Sequence, residues 1–181
     1  MKREEFLKTA ALCGVCACAG MPSPEAEAVK QNPELKDLQR RIAFVHPRFA
    51  KLIGMLENDL SSEELKRLLE KLGRECSREF APIYAKYRGD LEGFLNMCRK
   101  DWKMNCEHDP VRKRVVTYGE KTGRCFCPFV DQARMSPAFC ECSLGWQMET
   151  FSAVIGKPVR AKILSSVLRG GRSCDFAVEY G

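Results

Sequence analysis

Apolar positions in the first half of the chain recur at helical spacing, and capping signals mark where helices begin. Ser61 and Glu64 form a capping-box pair, and the segment after them places apolar side chains on one helical face: Leu65, Leu68, Leu69, Leu72, Cys76 and Phe80. Asp90 is a second N-cap signal and precedes another apolar face: Leu91, Phe94, Leu95, Cys98 and Trp102. Two earlier helices are predicted at 35–45 and 49–60, separated at His46-Pro47 because the residue before a proline disfavours helical backbone.

In the second half the pattern changes from helical spacing to alternation. Strands are predicted at four segments: 114–118, 123–129, 159–163 and 174–180. A helix lies between the second and third of them, with an apolar stripe formed by Leu144, Met148, Phe151 and Ile155. Gly170-Gly171 between the last two strands is typical of a hairpin turn. The predicted fold class is therefore α+β, with N-terminal helices followed by a β-β-α-β-β antiparallel-sheet core.

The first nineteen residues resemble an export signal. Lys2-Arg3 supplies positive charge, and an uncharged apolar stretch follows that is too short to span a membrane. Cleavage after the small residues Ala17-Cys18-Ala19 would release an exported, periplasmic protein. A loose lipobox around Cys18 would instead attach a lipid and anchor the protein to a membrane. An uncleaved helix in a cytoplasmic protein is the alternative.

These boundaries divide the chain into three parts. Residues 1–19 are the signal-like segment, 20–33 are a linker rich in Pro, Ala and Glu, and 34–181 are predicted to be a single α+β domain. The composition is that of a globular protein, with 45% hydrophobic and 30% charged residues. The net charge is +6, but the basic residues are interspersed with acidic ones, so a nucleic-acid partner is not expected.

Two closely spaced cysteine doublets are the strongest candidates for chemistry. Cys125 and Cys127 form the first, and Cys140 and Cys142 form the second. In a strand, residues i and i+2 share a face, so each doublet could aim two thiols at one point. Together they could hold zinc or an iron–sulfur cluster, which needs about four soft ligands. Disulfides, or free and catalytic thiols, are the alternatives that the spacing leaves open.

The remaining candidates are individual residues. The chain has 11 cysteines, of which eight follow the signal-like segment, an even number that permits full disulfide pairing in an exported protein. Cys174 is expected to be a small buried apolar residue of the last strand. His108 could act as a metal ligand or a general base, or could simply be a turn residue before Asp109-Pro110.

The C-terminal third resembles a known family. The run from Phe139-Cys140-Glu141-Cys142 through Ser143-Leu144-Gly145-Trp146, then Gly156-Lys157-Pro158-Val159 and Cys174-Asp175-Phe176, is similar to the bacterial L-2-amino-thiazoline-4-carboxylate hydrolases. More distantly it resembles the vinyl-reductase-type small-molecule-binding domain. The resemblance implies an α+β fold around a small pocket. For the hydrolase it also implies opening of a cyclic C=N–S ring to a carbamoyl-cysteine product.

Three functional hypotheses follow from these observations. The favoured one is a domain that binds a small molecule or a metal ion at a cysteine-rich site. The second is a hydrolase of a cyclic amidine or amide, in which Cys140 or Cys142, or a zinc-bound water, attacks the substrate and His108 is the base. The third is an exported structural protein with all its cysteines paired. The first is favoured because no acid–base partner for a nucleophile is clearly visible.

Overall fold

The computed structural model describes residues 33–181, so the predicted signal-like segment and almost all of the linker lie outside the described residues. The helices are α1 (Pro33–Asp59), α2 (Ser62–Glu79), α3 (Ala81–Tyr84), α4 (Leu91–Asp101) and α5 (Cys140–Ile155). The strands are β1 (Asn105–Asp109), β2 (Arg114–Tyr118), β3 (Val159–Ser165) and β4 (Asp175–Tyr180).

No helix within 33–181 has both the length and the apolar character needed to cross a membrane. By its contacts the chain separates into units 1–44 and 45–181, and the core and the candidate site belong to the second.

The predicted capping signals begin helices α2 and α4. At the start of α2, the Ser61 N–H donates to Glu64 Oε2 at 3.0 Å, and the Glu64 N–H donates to Ser61 Oγ at 3.4 Å. At the start of α4, the Gly93 N–H donates to Asp90 Oδ1 at 2.9 Å. These bonds satisfy backbone donors that have no partner within the first helical turn. Both predicted helix starts are confirmed.

Helix α1 is continuous where the sequence predicted a break. Pro47 lies inside the helix rather than between two helices. A proline removes one backbone donor, and the bonds on either side of it are enough to carry this helix through. His46 contributes a tertiary contact at the same point, since its Nε2 lies 2.7 Å from the carbonyl oxygen of Pro128. The predicted interruption is therefore wrong.

The four strands form one antiparallel sheet in the order β1-β2-β4-β3. Strand β4 is central and pairs on both sides, with Val178 opposite Val115 in β2 and opposite Ala161 in β3. The element order after the N-terminal helices is β-β-α-β-β, so the predicted fold class is confirmed. Helix α5 packs against the sheet, as the apolar stripe of its sequence indicated.

One strand lies elsewhere than predicted. Residues 123–129 form no strand, and the first hairpin is instead made by β1 and β2. Three local features explain why this segment does not pair. Gly123 has a left-handed backbone with φ 69°. The Cys125 N–H donates to the Gln132 side chain at 3.0 Å instead of to a neighbouring strand. Pro128 has no N–H to donate.

The main core lies between the sheet and helices α4 and α5. Phe94 of α4 is fully buried and meets Phe151 of α5 edge to face, with ring centroids 5.5 Å apart. Val115 and Val178 of the sheet belong to the same apolar cluster. Burial of these side chains is the main stabilising term for such a layer, at roughly 1.5–3 kcal/mol for each large apolar residue.

Helices α2 and α5 approach each other so closely that each needs a glycine at the crossing. A Cβ atom added at Gly73 would lie 1.8 Å from the carbonyl oxygen of Cys142. One added at Gly145 would lie 2.0 Å from the carbonyl oxygen of Glu70. Beyond the crossing, the buried hydroxyls of Ser77 and Thr150 hydrogen-bond at 2.8 Å. The two helices therefore form a single rigid layer.

The crossing gives a direct test. We expect Gly73→Ala and Gly145→Ala each to lower the free energy of unfolding by more than about 3 kcal/mol, because backbone would have to move to admit the methyl group. Gly54→Ala is the matched control, since Gly54 is also helical and has nothing within 4 Å of an added Cβ. It should change stability by less than about 1 kcal/mol, or increase it. Urea unfolding measures the free energy of unfolding of all three variants. If Gly54→Ala lost as much stability as the other two, the close crossing would be contradicted.

Candidate functional site

Six cysteines lie close enough together to influence one another's ionisation. We call them the thiol cluster: Cys76, Cys125, Cys127, Cys140, Cys142 and Cys174. All the cysteines between 33 and 181 are free thiols. The cluster contains both predicted doublets and adds two thiols from other elements. It brings together six of the eight cysteines in the part of the chain that the structure describes, and we take it as the candidate site.

Three parts of the fold bring these thiols together. Helix α2 carries Cys76 one turn beyond Gly73, and the first turn of α5 carries Cys140 and Cys142. The close crossing of the two helices therefore sets Cys76 beside Cys142. The third part is the loop from β2 towards α5, which contains the first doublet. Two backbone bonds fix this loop against the start of β4, from Gly119 N–H to Cys174 O at 3.1 Å and from Gly123 N–H to Arg172 O at 2.9 Å.

Cys125 and Cys174 are neighbouring thiols, and each has the largest influence on the pKa of the other. The Cys125 thiol lowers the pKa of Cys174 to about 6, and its effect outweighs the opposing effect of burial. The same interaction raises the pKa of Cys125. Gln132 fixes the loop that presents Cys125, because its side chain accepts from the Cys125 N–H and donates to Gly123 O, each at 3.0 Å. At neutral pH this pair therefore contains one thiolate and one thiol that stabilises it.

The second doublet has a different environment. Burial raises the pKa of Cys140, although the Ser166 hydroxyl, 2.9 Å from its sulfur, and the Arg169 guanidinium act in the opposite direction. Burial also raises the pKa of Cys142 to about 12. Both thiols are held in their protonated form at neutral pH. Since the thiolate is the nucleophile, this environment does not favour Cys140 or Cys142 in the predicted catalytic role.

His108 is engaged away from the thiols. Its Nδ1 lies 2.5 Å from Glu92 Oε1 in α4, and its Nε2 hydrogen-bonds the Tyr180 hydroxyl at the end of β4. The imidazole is 13% exposed. Burial and the carboxylates of Glu92 and Asp109 raise the pKa of Tyr180, so its hydroxyl keeps its proton. With both ring nitrogens engaged, His108 connects α4 to the sheet, and its role as a base stays a prediction.

The predicted metal ligands are not assembled as a metal site. Among residues 33–181, no group of three or more His, Cys, Asp or Glu side chains is placed so that it could hold a metal ion. The first doublet is divided, because Cys125 lies beside Cys174, whereas Cys127 packs with Cys142 against a second apolar cluster. The buried members of that cluster are Ala50, Ile53, Leu65, Leu69, Met135 and Phe139. The four-thiol site for zinc or an iron–sulfur cluster is therefore not supported by this placement and stays a prediction.

Cys174 is the site residue that the sequence analysis did not single out. Alternation with Phe176 and Val178 indicated a small apolar residue inside the last strand. In the structure Cys174 is half-buried, directly precedes β4 and meets Cys125. No local pattern marks this pairing, because it depends on the backbone bonds that return the 119–125 loop to β4.

Comparison with known proteins informs the fold. No family model matches the chain, and no curated protein matches it. Among solved structures, it is similar to a trafficking protein particle complex subunit 3 from Naegleria fowleri, which was crystallised covalently bound to palmitic acid. The TM-score is 0.53 at 11% sequence identity, and the match covers 78% of this chain and 95% of that one. This similarity supports the α+β architecture. The comparisons give no specific support to the thiazoline-hydrolase resemblance.

The role of His108 can be tested against that of His46. We expect His108→Ala to lower the free energy of unfolding by about 1–3 kcal/mol, because the half-buried Tyr180 hydroxyl loses its hydrogen-bond partner. His46→Ala, which removes one exposed hydrogen bond, should cost less than about 1 kcal/mol. Urea unfolding measures both losses. In the same variants, the alkylation rate of Cys174 should stay at the wild-type value, and a large fall in His108→Ala would show that the imidazole acts as a base.

Proposed function

We propose that the protein is a small-molecule-binding domain that captures a soft electrophile through the thiolate of Cys174. The observation that supports this is the adjacency of Cys125 and Cys174, which lowers the pKa of the half-buried Cys174 thiol to about 6. Thiolates are the reactive form of cysteine towards both thiophilic metal ions and organic electrophiles. The proposed ligand is therefore any soft electrophile that a thiolate can bind. The experiments below distinguish a metal ion from an organic molecule.

The surroundings of the pair favour binding over hydrolysis. Hydrolysis needs a base positioned beside the nucleophile, and the chain has only two histidines. His108 is held by Glu92 and Tyr180, and His46 is bonded to Pro128. Binding needs no such base, because the Cys125 thiol already stabilises the thiolate. Neighbouring thiols, Cys127 and Cys140, add soft donor atoms near Cys174.

We also propose that the protein works outside the cytoplasm. This rests on the predicted export signal, whose residues lie outside the described part of the chain. In an oxidising compartment, a low-pKa thiol beside a second thiol exchanges readily with disulfides. The Cys174 thiolate would attack one sulfur of a small disulfide, forming a new S–S bond while the other half leaves as a thiolate with the electron pair. The Cys125 thiol, on losing its proton, could then attack the Cys174 sulfur, forming a Cys125–Cys174 disulfide and releasing the captured half as a second thiol.

The first test is the pH dependence of alkylation. Because the thiolate reacts, the rate at Cys174 should rise with a midpoint at about pH 6. Cys125→Ala removes the stabilising donor, so the midpoint should move towards the ordinary thiol value and the rate at neutral pH should fall roughly tenfold. Cys76→Ala is the control and should leave the rate unchanged. Mass spectrometry of the tryptic peptide 173–181 locates the adduct.

The same variants identify the ligand class. In one arm, reduced protein is loaded with Zn²⁺ alone and passed through a desalting column; in the other, it is incubated with oxidised glutathione. Retained zinc that is lost in Cys174→Ala would indicate a metal ligand. A mixed disulfide on peptide 173–181 would indicate an organic one. A Cys174 midpoint near that of an ordinary thiol, or no capture in either arm, would overturn the proposal.

A second candidate is a fatty acyl chain in thioester linkage. Two observations favour it: the structural neighbour carries covalently bound palmitic acid, and Cys127 and Cys142 pack against an apolar cluster that includes Ile53, Leu69 and Phe139. If it is correct, the intact mass of the purified protein should exceed the sequence mass by one acyl group. Neutral hydroxylamine, which cleaves thioesters, should remove the excess. A protein at its sequence mass before treatment would exclude this candidate.

A further inference from the structure

Two cysteines lie outside the thiol cluster and contact each other in the main core. Cys98 is on the buried face of α4, and Cys106 is the buried residue of β1. Both belong to the apolar cluster that contains Phe94 and Phe151. They are eight positions apart in the sequence, and each thiol is the neighbour that most strongly shifts the pKa of the other.

The backbone between them is shaped to bring these side chains together. The carbonyl oxygen of Cys98 accepts from the N–H groups of Trp102 and Met104, at 3.2 and 3.1 Å, so the chain reverses tightly at the end of α4. Arg99 closes the turn from the other side, because its guanidinium donates to the carbonyl oxygen of Cys106 at 2.8 Å. Hydrogen bonds therefore hold the backbone at both cysteines. This local arrangement of the chain places the two thiols next to each other.

We infer that Cys98 and Cys106 form a structural disulfide when the chain folds under oxidising conditions, cross-linking α4 to β1. This site is separate from the thiol cluster and does not depend on what Cys174 binds. It is also a different pairing from the one that the sequence suggested, which was between the two doublets. A cross-link in the core would secure the junction between the helices and the sheet.

The chemistry requires an oxidant, which is a disulfide of the glutathione or protein-oxidase type. The Cys106 thiolate attacks one sulfur of this disulfide and displaces its partner as a thiolate. The Cys98 thiolate then attacks the Cys106 sulfur, forming the intramolecular bond and releasing the second thiol. Two electrons and two protons leave the protein, and the oxidant is reduced to two thiols.

Because both thiols are buried, the disulfide must form during folding. Both thiols are inaccessible in the folded domain, so an oxidant must reach them before the core closes. Once formed, the bond is shielded from reductants by the same packing. We therefore expect it to resist mild reduction that opens any disulfide at Cys125 and Cys174, which are half-buried.

The test uses the arrangement of basic residues between the two cysteines. Arg99, Lys100 and Lys103 are cleaved by trypsin, so Cys98 lies in peptide 89–99 and Cys106 in peptide 104–112. The full-length chain is unfolded, reduced, and refolded with oxidised glutathione. It is then denatured with N-ethylmaleimide to trap free thiols and digested without reduction. We expect the two peptides to appear as one cross-linked species, lighter than their sum by two hydrogen atoms.

Each other result contradicts the inference. Separate peptides, each carrying N-ethylmaleimide, would show that the pair stays reduced. A link from either peptide to 125–134 or 173–181 would show a different pairing. Cys125→Ala/Cys174→Ala is the control variant, and it should retain the cross-link because the two sites are separate.

Stability provides an independent measurement. Reduction of the wild-type disulfide should lower Tm by roughly 5–10 °C, because the cross-link limits the entropy of the unfolded chain. In Cys98→Ala/Cys106→Ala, the reductant should produce no such fall. An equal fall in both proteins would assign the effect to another disulfide and overturn the inference.

Discussion

The structure depends on the close crossing of α2 and α5. At that point each helix presents a glycine to the backbone of the other, Gly73 to Cys142 and Gly145 to Glu70. Side chains of ordinary size would hold the helix axes about 8–10 Å apart, and only the absence of a Cβ allows a closer approach. The crossing supports α5, which in turn covers the sheet. It also sets Cys76 of α2 beside Cys142 of α5, so the position of the candidate site is a consequence of helix packing.

Within this framework the cysteines have two kinds of environment. For Cys127, Cys140 and Cys142, burial is the largest influence and raises the pKa. For Cys174 and Cys106, a hydrogen bond from a second thiol is the largest influence and lowers it. A chain with many cysteines therefore need not have many reactive ones. A lowered pKa occurs where two thiols meet, and of those two places only the one at Cys174 is half-buried and not fully buried.

The sequence predicted the parts of the fold that depend on local signals. The caps at Ser61 and Asp90 and the alternation in the last two strands correspond to real elements, because each signal acts within a few residues. The predictions failed where tertiary contacts decide. Residues 123–129 alternate like a strand, yet bonds to Gln132 and Arg172 hold them as a loop. Local spacing identified the two cysteine doublets as candidates. The proximity of Cys125 and Cys174 could not be predicted in this way, because the two residues are 49 positions apart in the sequence.

The sheet has a further consequence at its borders. Strands β1 and β3 are its two outer strands, and an outer strand can recruit a strand from another molecule wherever its backbone groups are uncovered. Strand β1 has only five residues, which limits the ladder that a foreign strand could form. Strand β3 carries Arg160 and Lys162 at exposed positions, and although Lys162 pairs with Glu179 at 3.7 Å, charged side chains on an outer strand oppose stacking of one copy on another. Short length on one border and positive charge on the other thus protect the domain from aggregating through its own sheet.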